Sequence, residues 1–226
     1  MKRLEVIAYL ALALALVALS NTPTAVQGQR ELDLLTIAVL QEFEKLDVDY
    51  FIIAGTLLGA HQIGRIQLHD YDTDVHVHYD SIDRIRRHDW AAVGLLVYEG
   101  FGGFRFKQGV FSQLRMDALV QRPCEEDQKL HFVWRHLDKM YPKAVLPVDW
   151  VYPVNRLNVR FFKARAPRKT ARVLKRMYGN FTLDPPNGLG ERVKSFWERQ
   201  LWTRLIPLAS LLSHDTLRTQ DEKTIL

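Results

Sequence analysis

YFIIAGTLLGAHQIGRIQLHDYDTDVHVHY, residues 50–79, is the stretch on which the fold turns. Asp49 to Ala54 is a β-branched and aromatic run that predicts a short buried strand, and Gly55 ends it. Leu57 to Gln62 predicts a brief helix stopped by Gly64. Gln67 to Tyr79 then predicts a second strand in which Asp70, Asp72 and Asp74 alternate with other residues. Residues i, i+2 and i+4 of a strand share a face, so the three carboxylates would converge on one surface. Neighbours about 7 Å apart would repel by roughly 2 kcal/mol per pair at an effective dielectric near ~20. A chain rarely keeps such an array without a cation, and hard oxygen ligands suit Mg²⁺ or Mn²⁺.

Working outward, Leu32, Leu35, Val39, Phe43 and Leu46 recur at helical spacing and predict an amphipathic helix over 29–46 that packs on a sheet. Ser81 is placed to cap a helix with Ile82, Ile85, Ala92 and Val93 inward. Phe104 to Gln121 predicts a hairpin or two short strands, turning at Lys107-Gln108-Gly109. On its second arm Gln113, Arg115 and Asp117 alternate with Leu114, Met116 and Ala118, so an acid emerges on the polar face. Pro123 to Pro147 reads as a surface excursion, and Asp149 to Phe162 returns to strand-like runs. Pro167 to Tyr178 is a basic helix closed by Gly179, with Ala171, Leu174, Met177 and Tyr178 inward. Ser195 to Ser213 reads as a Trp- and Leu-rich helical tail. The sum is an α/β fold, a mixed sheet flanked by helices, with one domain over 29–190 and a tail over 191–226.

Composition agrees with one sizeable domain: 226 residues, 47% of them hydrophobic. From Arg156 to Arg204 there are thirteen Lys or Arg against three acids, a field that attracts phosphates or else forms a solvated basic face. Cys124 is the only cysteine, which excludes an internal disulfide and, by count, a cysteine-based zinc site. Lys2 and Arg3, the uncharged run Val6 to Leu19 and the small-x-small Ala18-Leu19-Ser20 make residues 1–28 read as a secretory leader or a signal anchor, with a buried N-terminal helix as the alternative. The expected location is the ER or Golgi lumen or the exterior, and Asn180-Phe181-Thr182 would then be a glycosylation sequon.

Phosphoryl and nucleotidyl transfer need a metal to offset phosphate charge and orient an attacking hydroxyl. Two acids one residue apart on a strand can hold it, and a third on a neighbouring strand completes the site or takes the nucleophile's proton. A Gly followed by a hydroxyl residue at a helix start lets backbone amides approach phosphates. Gly55-Thr56, Asp72-x-Asp74 and Asp117 supply these parts in the order the nucleotidyltransferase fold uses them.

The stretch AGTLLGAHQIGRIQLHDYDTDVHV resembles the signature of the LicD/fukutin family, a Gly-Ser/Thr-Leu-Leu-Gly turn followed by aspartates spaced by single residues. Arg115 to Leu119 resembles the strand that carries the family's third acid. Val148 to Pro153, Met177-Tyr178-Gly179-Asn180 and Pro185-Pro186 are similar to later family segments. The resemblance covers about residues 30 to 190. It implies transfer of a phosphorylated group, such as phosphocholine or ribitol phosphate, from a cytidine diphosphate donor to a glycan hydroxyl. On this chain Asp72 and Asp74 would bind the metal, with Asp70 as ligand or support, and Asp117 would complete the site. Gly55 and Thr56 would face the donor phosphates, which Arg115 and the basic helix around Arg168 to Arg176 could also contact by their charge. Many relatives have Pro-Trp just before the acids, where this chain has Leu68-His69.

Other readings compete. The acids could line a solvated edge strand. An EF-hand loop fails, because the sixth position from Asp70 is Val75 and the twelfth is Ser81. His76 and His78, with His61 or His69, could form a zinc site. A secreted glycan- or anion-binding protein would use the basic surface and need no metal. A nucleic-acid partner fits the charge but conflicts with a secretory leader.

Overall fold

The computed structural model describes residues 25–67, 70–100, 102–110 and 112–180. Residues 1–24 of the leader, Leu68-His69, Asp184 to Pro186 and the helical tail of the sequence reading lie outside the described residues, while residues 25–28, read as the end of the leader, begin the first helix. Among those described, no helix is long and apolar enough to cross a membrane.

Helix α1 (Ala25–Lys45) follows the predicted periodicity, with Leu32, Leu35, Val39 and Phe43 all buried. Strand β1 (Tyr50–Ile52) is buried throughout, and α2 (Ala54–Ile63) is capped by Gly64 in the left-handed conformation at φ 66°. Strand β2 (Asp72–His78) leads into a 3₁₀ turn and α3 (Ile82–Arg87). A hairpin of β3 (Leu96–Gly100) and β4 (Gly103–Lys107) precedes the long β5 (Arg115–Cys124). Then come β6 (Lys129–Phe132), α4 (His136–Met140), β7 (Leu146–Pro147) and α5 (Val148–Val151). A separate two-stranded ribbon, β8 (Asn155–Val159) and β9 (Phe162–Ala166), is followed by α6 (Thr170–Tyr178).

The main sheet runs β1-β2-β5-β4-β3, with β6 joined to β5 and to β7. All pairings are antiparallel except β2 with β5, which is parallel. Parallel neighbours need a crossover, and residues 79–114 supply it. Thr73, Val75 and Val77 of β2 and Met116, Ala118 and Val120 of β5 are buried on one face. The Thr36 and Thr73 hydroxyls, 2.9 Å apart, fasten α1 to that face.

Several local expectations are corrected. Ser81 precedes α3 but makes no cap bond to it; its Oγ accepts the Asp49 N–H at 2.9 Å and so ties the helix start to β1. Ala92 and Val93 are exposed, because α3 stops at Arg87 and the chain leaves in a 3₁₀ turn. Residues 123–147 are not an excursion: β6 adds to the sheet, and Phe132, Leu137 and Ala144 form a small core of their own. Asp149 begins in a helix instead of a strand. The inner side of α6 is Thr170, Val173 and Leu174, while Ala171 faces solvent.

Glu44 joins α1 to the ribbon. Its carboxylate accepts from Tyr50 Oη at 2.9 Å, from Arg165 Nη2 at 3.1 Å and from Arg156 Nη2 at 3.1 Å. Burial opposes ionisation, but the hydrogen bonds from Arg156, Arg165 and Tyr50 outweigh it and hold the carboxyl down at about 2. A folded-state value below the ordinary 4.5 stabilises the protein above that pH, and the contribution is lost as pH falls toward 2. Glu44→Gln is therefore expected to flatten the fall in Tm across that acid window. At neutral pH it should lower Tm by about 2–4 °C for each ~1 kcal/mol lost. Thermal melts of both proteins across the acid range check this.

Candidate active site

The open face of the sheet carries the polar half of each alternation. Asp72 and Asp74 project there from β2, and Arg115 and Asp117 from β5. Parallel register sets Asp72 opposite Arg115 and Asp74 opposite Asp117, and antiparallel register sets Arg105 of β4 opposite Asp117. In β4 Phe104 and Phe106 turn into the core, so Arg105 and Lys107 fall on the same face as the acids. Three strands thus bring acids and cations to one place.

Their pairing is specific. Arg115 bridges two strands, with Nη2 2.7 Å from Asp72 Oδ2 and Nε 3.1 Å from Asp117 Oδ2. Arg105 grips Asp117 with both arms of its fork, Nε at 2.7 Å from Oδ1 and Nη2 at 3.1 Å from Oδ2. The Arg115 guanidinium also lies over the Tyr71 ring, 5.1 Å from its centre. No salt bridge reaches Asp74 among the described residues. Asp74 keeps some accessible surface, but its carboxyl is enclosed by protein on most sides. Burial first, then the charges of Asp72 and Asp117, push it well above the usual carboxylate range. Lys107 is pushed down by burial and by the charges of Arg105 and Arg115.

Asp70 departs from the sequence reading. It precedes β2, so strand alternation does not place it; its carboxylate lies against the first turn of α2, with Oδ2 3.2 Å from where a Cβ on Gly55 would stand. It still adds negative potential at Asp74. Thr56 is buried, and its Oγ accepts the Asp74 N–H at 2.8 Å, which locks the helix start to the strand that holds the acids. Gly59 permits a close approach: a Cβ there would stand 2.5 Å from the Arg65 carbonyl oxygen. Of the basic helix, Arg176 donates to the carbonyls of Pro142 and Lys143, while Arg168 and Arg172 are exposed.

Sequence reasoning missed Arg105, Lys107 and Tyr178. The first two were legible as the polar positions of Phe-Arg-Phe-Lys. Tyr178 read as an inward residue, yet 41% of it is exposed. Burial and the carboxylates of Asp74 and Asp70 push its phenol up to about 12, which puts the hydroxyl end within electrostatic reach of the acids.

For a metal ion, the donor chemistry fits at the acids: an enclosed carboxylate with no salt bridge, crowded by the like charges of Asp72, Asp117 and Asp70, is a group that a hard divalent cation would neutralise. The fold also makes a different cluster. Ligand atoms of Cys124, Asp127 and His131 lie within 4.8 Å of one another and could hold a metal ion, the one such trio among the described residues. Counting cysteines had excluded a zinc site that uses one; the β5–β6 hairpin brings aspartate and histidine to the single thiol. A thiol is too soft a ligand to bear on Mg²⁺ or Mn²⁺. The histidines proposed for zinc do not assemble. His76 is buried between the rings of Phe51 and Phe132, at 5.3 and 5.2 Å, and burial holds it neutral with a value pushed down to about 3. His78 Nδ1 accepts the Asp80 N–H at 3.3 Å, and His69 lies outside the described residues.

Among solved structures, the chain resembles ANT(2")-Ia in complex with adenylyl-2"-tobramycin. There identity is 13% and the TM-score 0.43, over 60% of this chain and 68% of that one. It also resembles the lincosamide antibiotic adenylyltransferase LnuA, lincomycin-bound, at 15% identity and TM-score 0.41, over 65% of this chain and 87% of that one. An antigenic nucleotidyltransferase-like protein from Paracoccidioides brasiliensis matches at 12% identity and TM-score 0.37, over 80% and 92%. None of the curated proteins matches the chain. The family model described as LicD/FKTN/FKRP, nucleotidyltransferase domain, matches residues 47–169, a span that runs from just before β1 to just past the β8–β9 ribbon and includes Asp70, Asp72, Asp74 and Asp117. The chain belongs to the LicD/FKTN/FKRP family, and its mixed sheet flanked by helices is a nucleotidyltransferase domain.

Proposed function

We propose that the chain moves a phosphorylated alcohol or sugar, of the phosphocholine or ribitol-phosphate kind, from a CDP-linked donor to a glycan hydroxyl with Mg²⁺ or Mn²⁺. Family membership supports a transferase. The observation that carries the finer reading is the register that sets Asp74 opposite Asp117 and Asp72 opposite Arg115. It concentrates acids for a metal and cations for phosphates on one face. The apolar run Val6 to Leu19 supports a place in the secretory lumen, with residues 29–190 as the catalytic domain.

A divalent ion held by Asp72 and Asp74, with Asp70 in support, would neutralise charge on the donor phosphates. Arg115, Arg105 and Lys107 would take phosphate oxygens, the two arginines turning from the carboxylates they now hold. That turn releases an oxygen of Asp117 to accept the proton of the acceptor hydroxyl. The glycan oxygen then bonds to phosphorus, the bond to CMP breaks, and CMP leaves. Gly55 supplies room beside the first turn of α2, and Thr56 fixes that turn against Asp74.

The test is release of nucleoside monophosphate when the full chain meets a panel of nucleotide diphosphate donors, a mixed glycan pool and Mn²⁺. CMP from one donor is expected. Asp72→Asn, Asp74→Asn and Asp117→Asn should each lower the rate by at least about a hundredfold. Activity retained in both β2 variants overturns the reading.

A second expectation concerns Asp74 alone. A carboxyl whose folded value is raised costs stability above its ordinary titration range, so a neutral amide should help the metal-free fold. Asp74→Asn should raise the metal-free Tm at neutral pH by about 2–4 °C per ~1 kcal/mol recovered. It should also abolish the rise in Tm that Mn²⁺ gives the parent chain. Because the ligand must lose its proton first, Mn²⁺ affinity in the parent should increase with pH. Scanning calorimetry with and without Mn²⁺ at several pH values reads all three.

A further inference from the structure

The β5–β6 hairpin holds a second group of ligating side chains, far from the acids. Cys124 is seven residues beyond Asp117 on β5, roughly 23 Å along a strand at about 3.3 Å per residue. Cys124 pairs with Lys129, and Arg122 with His131. Residues 124 and 131 therefore share one face of the hairpin as diagonal neighbours. The turn between them folds tightly, with the Gln128 N–H on the Cys124 carbonyl at 3.0 Å, and it lays Asp127 over the same face. The thiol, an Asp127 oxygen and a His131 ring nitrogen come within 4.8 Å of one another.

The histidine is held as a ligand would be. His131 Nδ1 is 2.8 Å from Asp138 Oδ2, and the other oxygen of Asp138 accepts the Phe132 N–H at 2.9 Å. A carboxylate behind one ring nitrogen fixes the ring's orientation and directs the other nitrogen at the metal, an arrangement common behind metal-bound imidazoles. Here that other nitrogen, Nε2, is 3.0 Å from Asp127 Oδ2, and a nitrogen of the ring lies within 4.8 Å of the thiol. The bland account is an ion pair on a hairpin, with Lys129 also on Asp127 at 3.2 Å. It explains the two carboxylates flanking the imidazole and leaves the adjacent thiol as coincidence.

We propose that Cys124, Asp127 and His131 bind one Zn²⁺ ion. Sulfur, nitrogen and carboxylate oxygen are a zinc donor set, and three protein ligands leave a fourth tetrahedral position for water. Metal entry exchanges the His131 Nε2 contact with Asp127 for bonds to the ion, and the thiol gives its proton to solvent. The ion staples the end of β5 to β6, the strand that carries Phe132 into the small core with Leu137 and Ala144. The site stands apart from the transferase reading and uses none of its residues.

Cobalt is the probe, because a cobalt–thiolate bond gives a near-ultraviolet charge-transfer band that carboxylates cannot give. The full chain, freed of metal by chelator under a phosphine reductant, is titrated with Co²⁺. The expected result is the thiolate band at one Co²⁺ per chain, bleached by Zn²⁺. The band should be absent in Cys124→Ser and Cys124→Ala, weakened at least about tenfold in affinity in His131→Gln, and intact in Asp72→Asn. Circular dichroism confirms that each variant is folded, and with two cysteine replacements a folded one remains to be read. No band in the parent chain, or a band that survives loss of Cys124, overturns the site.

Discussion

One parallel pairing governs this structure. If β2 and β5 met antiparallel, or one residue out of register, Asp74 would no longer face Asp117 and the polar residues would not share a surface. A slip of one residue turns every side chain of a strand to the opposite face. The register is held from below, by Val75 and Val77 of β2 and Met116, Ala118 and Val120 of β5 buried beneath α1. It is also held from the side, where the Thr56 hydroxyl accepts the Asp74 amide. The apolar half of each alternation therefore positions the polar half, and the geometry of the acids follows from the core.

Electrostatically the face is in tension. Two arginines bind Asp72 and Asp117, whereas Asp74, with no salt bridge among the described residues, is hard to ionise. The arginines occupy the positions on these carboxylates that a metal and its ligands would contest. They are also the groups best shaped to take phosphate oxygens in a fork. A nucleotide donor with its metal would resolve both conflicts together, since the metal relieves the carboxylates while the phosphates receive the guanidinium groups. Mutual repulsion of this kind is a cost the rest of the fold must offset.

Legibility followed the range of each interaction. Alternation is a property of consecutive residues, so Asp72, Asp74 and Asp117 could be placed on a polar face from the chain alone, as could α1 and the 104–121 hairpin. Asp70 could not: the sequence reading began the strand at Gln67 whereas β2 begins at Asp72, and the position of Asp70 depends on Gly55, distant in sequence. Ser81 resembled a helix cap because the local pattern fits one, and the Asp49 amide, just before β1, won its hydroxyl. Residues 123–147 carried few consecutive apolar positions. β6 is only four residues long and gains its stability from β5 and β7 on either side. Tyr178 lies at the end of a helix whose inner face is set by packing on the chain's other elements.

The same distinction explains the cysteine. Counting residues tests for sites made of several cysteines, and one thiol fails that test whatever surrounds it. Hairpin geometry adds the missing ligands at separations of three and seven residues, neither of which matches the short cysteine–histidine spacings that sequence patterns recognise. Softness then keeps the two metal chemistries apart on one sheet. The carboxylates of β2, facing Asp117 at the start of β5, favour hard ions that retain water and bind phosphate, whereas sulfur and imidazole at the far end of β5 and on β6 favour zinc. A single ten-residue strand can therefore serve catalysis at one end and anchorage at the other, because the ligand types, more than the distance, decide which ion each end accepts.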